Sequence, residues 1–309
     1  MKGVSKLATC EQVMNVLDKI IPFSCVSQKD NSGLVVGDSA YQVNKVLMAV
    51  DLTEAVIEEA IRLGCGMIVT HHHIMGKGVK RITPATFEGR AVAALLKHEI
   101  AFCVCHNNLD FLNGGTVDTL MRVAGAPKSR PLYEGYAFLA TTPAEVNAKV
   151  IPVPTGEGYS TDQVAGFGRV GELTEPCTLA ELIRRLEGTV TGPVNVVGAD
   201  DRLIQTIAVQ VGAGERSCLD RAKLCGADLL ITGDVRHDNR LYAAEIGMCL
   251  LDFCHYEVEL PGIISLAGSL KAALGEGDYS VEVILSEAVA PVRHLTMPSV
   301  VDLRKLGWQ

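Results

Sequence analysis

The sequence predicts an α/β protein built as two related α/β domains, with mixed, largely parallel sheets and an internal pseudo-repeat. Three observations carry that expectation. Short apolar runs of strand length alternate with stretches of helical period. The order strand–helix–strand–helix–strand occurs once in each half of the chain. The halves also match locally: Gly64-Cys65-Gly66-Met67-Ile68-Val69-Thr70 parallels Gly226-Ala227-Asp228-Leu229-Leu230-Ile231-Thr232, and Cys105-His106 parallels Cys254-His255.

Taken in order, residues 10–21 form a helix, with Val13, Val16, Leu17 and Ile20 on one side and Pro22 as its stop. A strand at 46–50 leads through Asp51 to a helix at 54–63, with Thr53 as N-cap and Gly64 at its end. A strand at 67–70, a helix near 86–98 and a strand at 100–104 follow. Gly114-Gly115 and Thr116, read as an N-cap, then open another helix. The boundary falls near 126–131, giving domains 1–128 and 129–309, the second including a short connecting segment, 131–165. Thr178 and Glu181 form a capping box at the start of a helix over 178–186. Strand 207–211, helix 217–225, strand 229–232, helix 239–246 and strand 248–253 repeat the first plan. Proline is tolerated in a helix's first turn, so Pro261 places the next helix start near itself. The second domain is expected to end with strands at 279–285 and 292–297.

Composition narrows the partners. With 48% hydrophobic residues the chain can bury a sizeable core, and a net charge of −8 makes nucleic acid a poor partner. Lys77, Lys80 and Arg81 form either a solvated face or a local site for a small anion. No run approaches the ~18 apolar residues of a membrane span. Ten cysteines without a CxxC pair, mostly inside apolar runs, fit a reducing, cytoplasmic setting. The phosphate-loop, dinucleotide and nucleophile-elbow patterns are absent from the sequence. Cys105 and Cys254 read as packing residues more readily than as nucleophiles.

The chemistry concentrates at strand ends, where open α/β sheets bind ligands. His71-His72-His73 ends the strand at 67–70. Imidazole is the commonest protein metal ligand near neutrality. Neighbours on a regular strand point to opposite faces. A turn after the strand can aim both His71 and His72 into one cleft; the alternative is one working imidazole and two passengers. His106 and Asp110 follow the strand at 100–104. Asp110 is a carboxylate able to bridge two ions or a turn residue; His106 is a direct ligand or a group that orients one. His255 and Glu259, four residues apart, share one face of a helix. Gly233-Asp234-Val235-Arg236-His237-Asp238 occupies the place of His71-His72 in the repeat, either as a turn before a helix or behind a site.

Six segments in order make the chain resemble a known family. They are DNSGLVVGD (30–38), THH (70–72), CHNNLD with GG (105–110, 114–115), GFGRVGEL (166–173), TGDVRHD (232–238) and HYEVE (255–259). The family is that of the dinuclear-metal-centre hexameric proteins, the GTP cyclohydrolase 1 type 2 homologues or Nif-three-like proteins. The resemblance implies two related α/β domains, a homohexamer and two divalent transition-metal ions per chain, zinc, iron or manganese. It implies His71, His72, Asp110, His255 and Glu259 as metal ligands, and places His106 and His237 beside them as substrate-facing, catalytic candidates. Asp30 and Asn31 match the family's acidic loop, whereas His73, Lys29 and Asn107 depart from its pattern. The expected activity is metal-dependent hydrolysis of a small polar or phosphorylated metabolite, with Arg236, Lys77 and Arg169 as candidates to meet a phosphate. The alternative is a non-enzymatic metal-binding scaffold, insertion factor or regulatory partner.

Overall fold

A computed structural model describes residues 6–25, 30–75, 81–134 and 166–288. The strand expected at 292–297, most of the segment 131–165, Lys29, Lys77 and Lys80 lie outside these residues. In chain order the strands are β1 (Ala8–Thr9), β2 (Gly33–Val36), β3 (Gln42–Val43), β4 (Lys45–Ala49), β5 (Met67–Thr70), β6 (Ala101–Val104), β7 (Arg130–Glu134), β8 (Gly166–Thr178), β9 (Asn195–Val197), β10 (Leu203–Ala213), β11 (Leu229–Gly233), β12 (Cys249–Phe253) and β13 (Glu282–Leu285). The helices are α1 (Cys10–Ile20), α2 (Glu54–Leu63), α3 (Phe87–Lys97), α4 (Asn107–Phe111), α5 (Thr116–Ala124), α6 (Leu179–Leu186), α7 (Arg216–Leu224), α8 (His237–Glu245) and α9 (His255–Glu276).

The first sheet runs β13-β4-β5-β6-β2 and the second β7-β8-β10-β11-β12-β9. Each has a parallel centre, β4-β5-β6 in one and β10-β11-β12 in the other; antiparallel strands are added at one edge of the first sheet (β2) and at both edges of the second. The parallel strands β5, β6, β11 and β12 are buried throughout, which is why they read as unbroken apolar runs. The caps act as the sequence suggests: Thr53 accepts from the Val56 N–H, and Gly64 closes α2 at φ 67°. Thr178 and Glu181 form the expected capping box. At α5 the cap is Gly115, and Thr116 is the first helical residue, its hydroxyl used elsewhere.

Two features depart from the sequence reading, and α9 causes both. The helix starts at His255, so Pro261 lies inside it. Proline has no N–H, so the Glu257 carbonyl loses one helical partner, but the helix continues. Spanning about 33 Å at 1.5 Å per residue, α9 carries the chain from the second sheet back to the first. Its Val258 packs in the second core, whereas Ile263, Leu266 and Leu270 pack with Val13 and Leu17 of α1 in the first. The strand expected to close the second domain therefore joins the first sheet as β13, parallel to β4. In the opposite sense α5 sends Val117, Leu120, Met121 and Ala124 into the second core. By length and mean hydropathy α9 has the dimensions of a membrane span, but half of that stretch is buried in the protein.

The return of the chain is clamped by one carboxylate. Buried Glu59 of α2 accepts from the Ser286 hydroxyl at 2.5 Å and the Glu287 N–H at 3.1 Å, just beyond β13. Burial pushes the Glu59 carboxyl up, but these hydrogen bonds outweigh it and hold it below its ordinary 4.5. A depressed folded-state value means that its stabilisation is fully present above 4.5 and is lost as pH falls through the lower folded value. Glu59→Gln is expected to cost about 1–3 kcal/mol at pH 7. The gap from the parent should narrow on acidification below pH 4.5, as read by urea denaturation. A gap that stays constant across that range assigns the clamp no role.

Candidate metal centre

Strand register decides which residues meet. Ala49 pairs with Thr70, and Thr70 with Val104, at the carboxyl edge of the first sheet. The next residues out of the sheet are therefore Val50 and Asp51, His71 and His72, and Cys105 and His106. The His71 and His72 N–H groups both donate to the Val50 carbonyl, at 3.0 and 2.9 Å. That turn breaks the strand alternation and brings the two rings within 4.9 Å on one side. From the second sheet, β12 ends at Phe253 and α9 delivers His255, whose Nε2 lies 3.1 Å from His72 Nε2. Glu259, one turn further, lies 3.0 Å from His255 Nε2.

Glu259 is the hub. Its Oε1 lies 3.4 Å from His71 Nε2 and 3.0 Å from His255 Nε2, and its Oε2 lies 3.2 Å from His72 Nε2. Asp110, on α4, places Oδ2 3.6 Å from His71 Nε2, and its Oδ1 accepts from the Thr116 hydroxyl at 2.5 Å. The structure thus brings close together the five residues that the resemblance implied as ligands.

Each imidazole is braced from behind. His71 Nδ1 donates to the Cys105 carbonyl at 2.8 Å, which fixes its tautomer and turns Nε2 to the centre. His72 Nδ1 meets Asp51 at 2.8 Å, His106 Nδ1 meets Asp30 at 2.7 Å, and His255 Nδ1 meets Asp234 at 3.2 Å. Asp30 also accepts from the Ser32 hydroxyl at 2.5 Å. Asp51 is a functional residue that sequence reasoning missed. Its role follows from strand register, because it leaves β4 beside the strand that carries His72. Asp234, in the Gly233–Asp238 loop, supplies the contact behind the site that the repeat suggested.

Two buried atoms remain without a hydrogen bond of acceptable geometry despite these neighbours: His71 Nε2 and Glu259 Oε2. Orphaned buried polar atoms are costly, and both belong to the same cluster. The charges agree. Burial raises the Glu259 carboxyl, but His71, His255 and His72 together hold it well below its ordinary value. Burial lowers His71 and His72, yet Asp110 and Glu259 lift His71 to about 9, and Asp51 and Glu259 lift His72 to about 10. Asp110 is raised, by burial first and by the charge of Glu259. The centre is built to hold positive charge, and its nitrogen and carboxylate donors fit a divalent transition metal.

The donor atoms fall into two groups, His71–His72–His106 and His72–His255–Glu259, each with every donor within 4.8 Å of the others. His106 thus stands among the atoms able to hold a metal, closer to the centre than a purely orienting role requires. His237 is in neither group: it is exposed, at the first residue of α8. His73 lies beside His106, with ring centroids 6.0 Å apart.

Glycines let the two halves close on the centre. Gly212 of β10 has φ +77°, and a Cβ there would sit 3.4 Å from Glu259 Oε1. At Gly262 a Cβ would fall 2.2 Å from Thr116 Cγ2, so α9 and α5 touch where they carry Glu259 and the partner of Asp110. Arg169 is not a phosphate-facing residue. It is buried and donates to the carbonyls of Gly166, Gly168 and Phe111 at 2.6, 2.9 and 2.9 Å, and its Nε lies 2.9 Å from Asp118. Arg236 is exposed and pairs with Asp238.

Two parallel-centred sheets, bridged by one long helix and meeting at a histidine–carboxylate cluster able to hold metal, define the class of this protein. The chain belongs to the DUF34/NIF3 (NGG1p interacting factor 3) family, whose sequence profile matches residues 8–291. It is 33% identical over 277 residues to a GTP cyclohydrolase 1 type 2 homolog of Clostridium perfringens, covering 89% of this chain and 95% of that protein. To the NIF3-like protein 1 of Drosophila melanogaster it is 29% identical, covering 73% and 69%. Among solved structures, a Staphylococcus aureus hypothetical protein superposes with a TM-score of 0.77 at 26% identity, covering 94% of this chain and all (100%) of that one. A Bacillus cereus protein related to NIF3 has the same TM-score, 0.77, at 23% identity, with the same coverage, 94% and 100%.

Proposed function

We propose that this protein is a metal-dependent hydrolase of a small polar metabolite, with two divalent transition-metal ions held across Glu259. One observation carries the reading: a single buried carboxylate uses both oxygens to contact three imidazoles, each braced through its other nitrogen. One Nε2 binds one ion, so two overlapping donor groups that share His72 need a carboxylate between them. Glu259 has the geometry for that place, with Asp110 as a further ligand on the His71 side. The donors suit zinc, iron(II) or manganese. Such ions supply Lewis acidity and an activated water near neutral pH.

His106 has a further part. It is half-buried, lines the cavity beside the cluster and is backed by Asp30, so its Nε2 either joins His71 as a metal donor or, left free, passes a proton. His237, exposed on α8, is kept only as a residue that faces an entering substrate. The name of the bacterial relatives, GTP cyclohydrolase 1 type 2 homolog, agrees with a hydrolytic reading. A homohexamer in the cytoplasm completes the proposal. The competing reading is a metal-binding partner protein without turnover, which needs the cluster but not the cavity.

Elemental analysis after metal-replete growth is expected to give close to two ions per chain; one or fewer rejects the paired site. Turnover on a panel of small amides and esters should disappear with chelator and return with metal. Chelator-insensitive turnover, or none in fully loaded protein, removes the hydrolase reading. Light scattering near the 33.0 kDa chain mass rejects the hexamer.

A further inference from the structure

The loop after β11 is built around the first residue of α9. Asp234 has φ 49°, in the left-handed region that aspartate tolerates and glycine prefers. Backbone hydrogen bonds hold it there from both sides. The Gly233 carbonyl accepts from the Gly214 N–H at 2.6 Å, and the Asp234 N–H donates to the carbonyl of Phe253, the last residue of β12, at 3.1 Å. At Gly233 a Cβ would crowd the Gly212 carbonyl oxygen at 2.9 Å and His255 Cα at 3.0 Å. A strained residue so firmly fixed beside a site is a candidate for a role in it.

The Asp234 carboxylate meets His255 twice. Its Oδ1 accepts from the His255 N–H at 3.3 Å, and its Oδ2 lies 3.2 Å from His255 Nδ1. The first contact caps α9 from a distant loop, because the Cys254 side chain at the N-cap makes no capping hydrogen bond. It also sets a negative charge at the positive end of the helix dipole. The second contact faces the ring. When His255 Nε2 binds a metal ion, Nδ1 carries the proton, so both His255 atoms that face Asp234 are donors. A carboxylate has an acceptor for each, whereas an amide has one acceptor and one donor. Asp51 and Asp30 also back imidazoles, but the N–H groups of His72 and His106 go elsewhere, to the Val50 carbonyl and the Ser32 hydroxyl. Only at His255 are backbone and ring held by the same carboxylate.

We propose that Asp234 is a positioning residue for one ion of the pair: by holding the backbone and ring of His255 together, it fixes the tautomer and the first turn of α9, and so sets the affinity on the His255 side alone. His255 belongs to the donor group His72–His255–Glu259 and not to His71–His72–His106. The assignment rests on the reading of the cluster as a centre for two ions; it does not depend on turnover.

The test is zinc titration of the metal-free full chain against a chromophoric chelator, with urea denaturation of the same metal-free protein. The parent is expected to show two binding steps. Asp234→Asn should weaken one step about tenfold, the lower end of the roughly 10–100-fold loss that follows removal of a metal ligand's hydrogen-bond partner, and leave the other step unchanged. Its urea midpoint should stay at the parent's, because the amide still caps α9 and the side chain is 53% exposed, where such contacts add little to folding. Asp234→Gly, which suits the backbone conformation and removes both contacts, should weaken the same step at least as much. If Asp234→Gly fails to fold, Asp234→Asn decides alone. Two steps unchanged in the variants overturn the positioning role and leave the paired site standing. Two steps weakened together with a lower urea midpoint assign Asp234 to the fold and also overturn it. A parent that binds fewer than two zinc ions retires the paired site and this assignment with it. A parent that binds two, loses one step selectively at Asp234 and turns over no substrate retires only the hydrolase reading.

Discussion

Arg169→Met is expected to lower folding stability by about 3–5 kcal/mol, the cost of breaking a buried charge network from one side. The guanidinium is 1% exposed and makes four close contacts, three to backbone carbonyls and one to Asp118. A methionine of similar length fills the volume but leaves those carbonyls without donors and Asp118 without its cation. The damage should reach the metal centre. Phe111, whose carbonyl Arg169 holds, follows Asp110 directly, and Asp118 lies on α5 with Thr116. Metal content should therefore fall along with stability. Arg169→Lys should be intermediate, because one ammonium cannot reproduce a planar fork of donors. Urea denaturation and elemental analysis of the three proteins check this. A loss under about 1 kcal/mol, the scale of an exposed ion pair, would show that the network is decorative.

The parallel strands and their helices were legible because their signals are local. An apolar run such as 229–232 has one economical fate in an α/β chain, and Thr53 with Gly64 marks helix ends by its own chemistry. Sheet membership was not legible. Nothing in the apolar pattern of 279–285 says which edge it joins, and only the length of α9 carries it back beside β4. Pro261 misled because a single proline inside a long, packed helix costs less than the packing returns. The meeting of His71, His72, Asp110, His255 and Glu259 was legible because strand ends and the family motifs pointed to the same residues. Asp51 was missed because its role is set by strand register, a relation between segments and not within one. Arg169 was misread for a similar reason. A lone arginine among glycines resembles an anion contact until Gly166 and Gly168 are seen to turn their carbonyls onto it.

Glu259→Gln is expected to strip the centre, whereas Asp110→Asn should release part of its metal. The two substitutions are matched, since each keeps side-chain shape and removes one negative charge. Their surroundings are not. Glu259 contacts His71, His72 and His255, between 3.0 and 3.4 Å. Asp110 contacts His71 alone, at 3.6 Å, and spends its other oxygen on Thr116. In the paired site proposed above, two cations would repel each other and a carboxylate between them would offset that repulsion; an amide offers one neutral oxygen and could not serve both. Elemental analysis should fall from about two ions per chain to near none in Glu259→Gln, and to about one in Asp110→Asn. Turnover, where a substrate is found, should collapse in the first and fall steeply in the second. A metal-free parent unfolded in parallel separates ligand loss from fold loss, because a variant that loses metal alone matches its stability. If Asp110→Asn empties the centre and Glu259→Gln keeps an ion, the bridge belongs to Asp110. If neither variant loses metal, the histidines hold the ions without a bridging carboxylate, and the paired site proposed here is wrong.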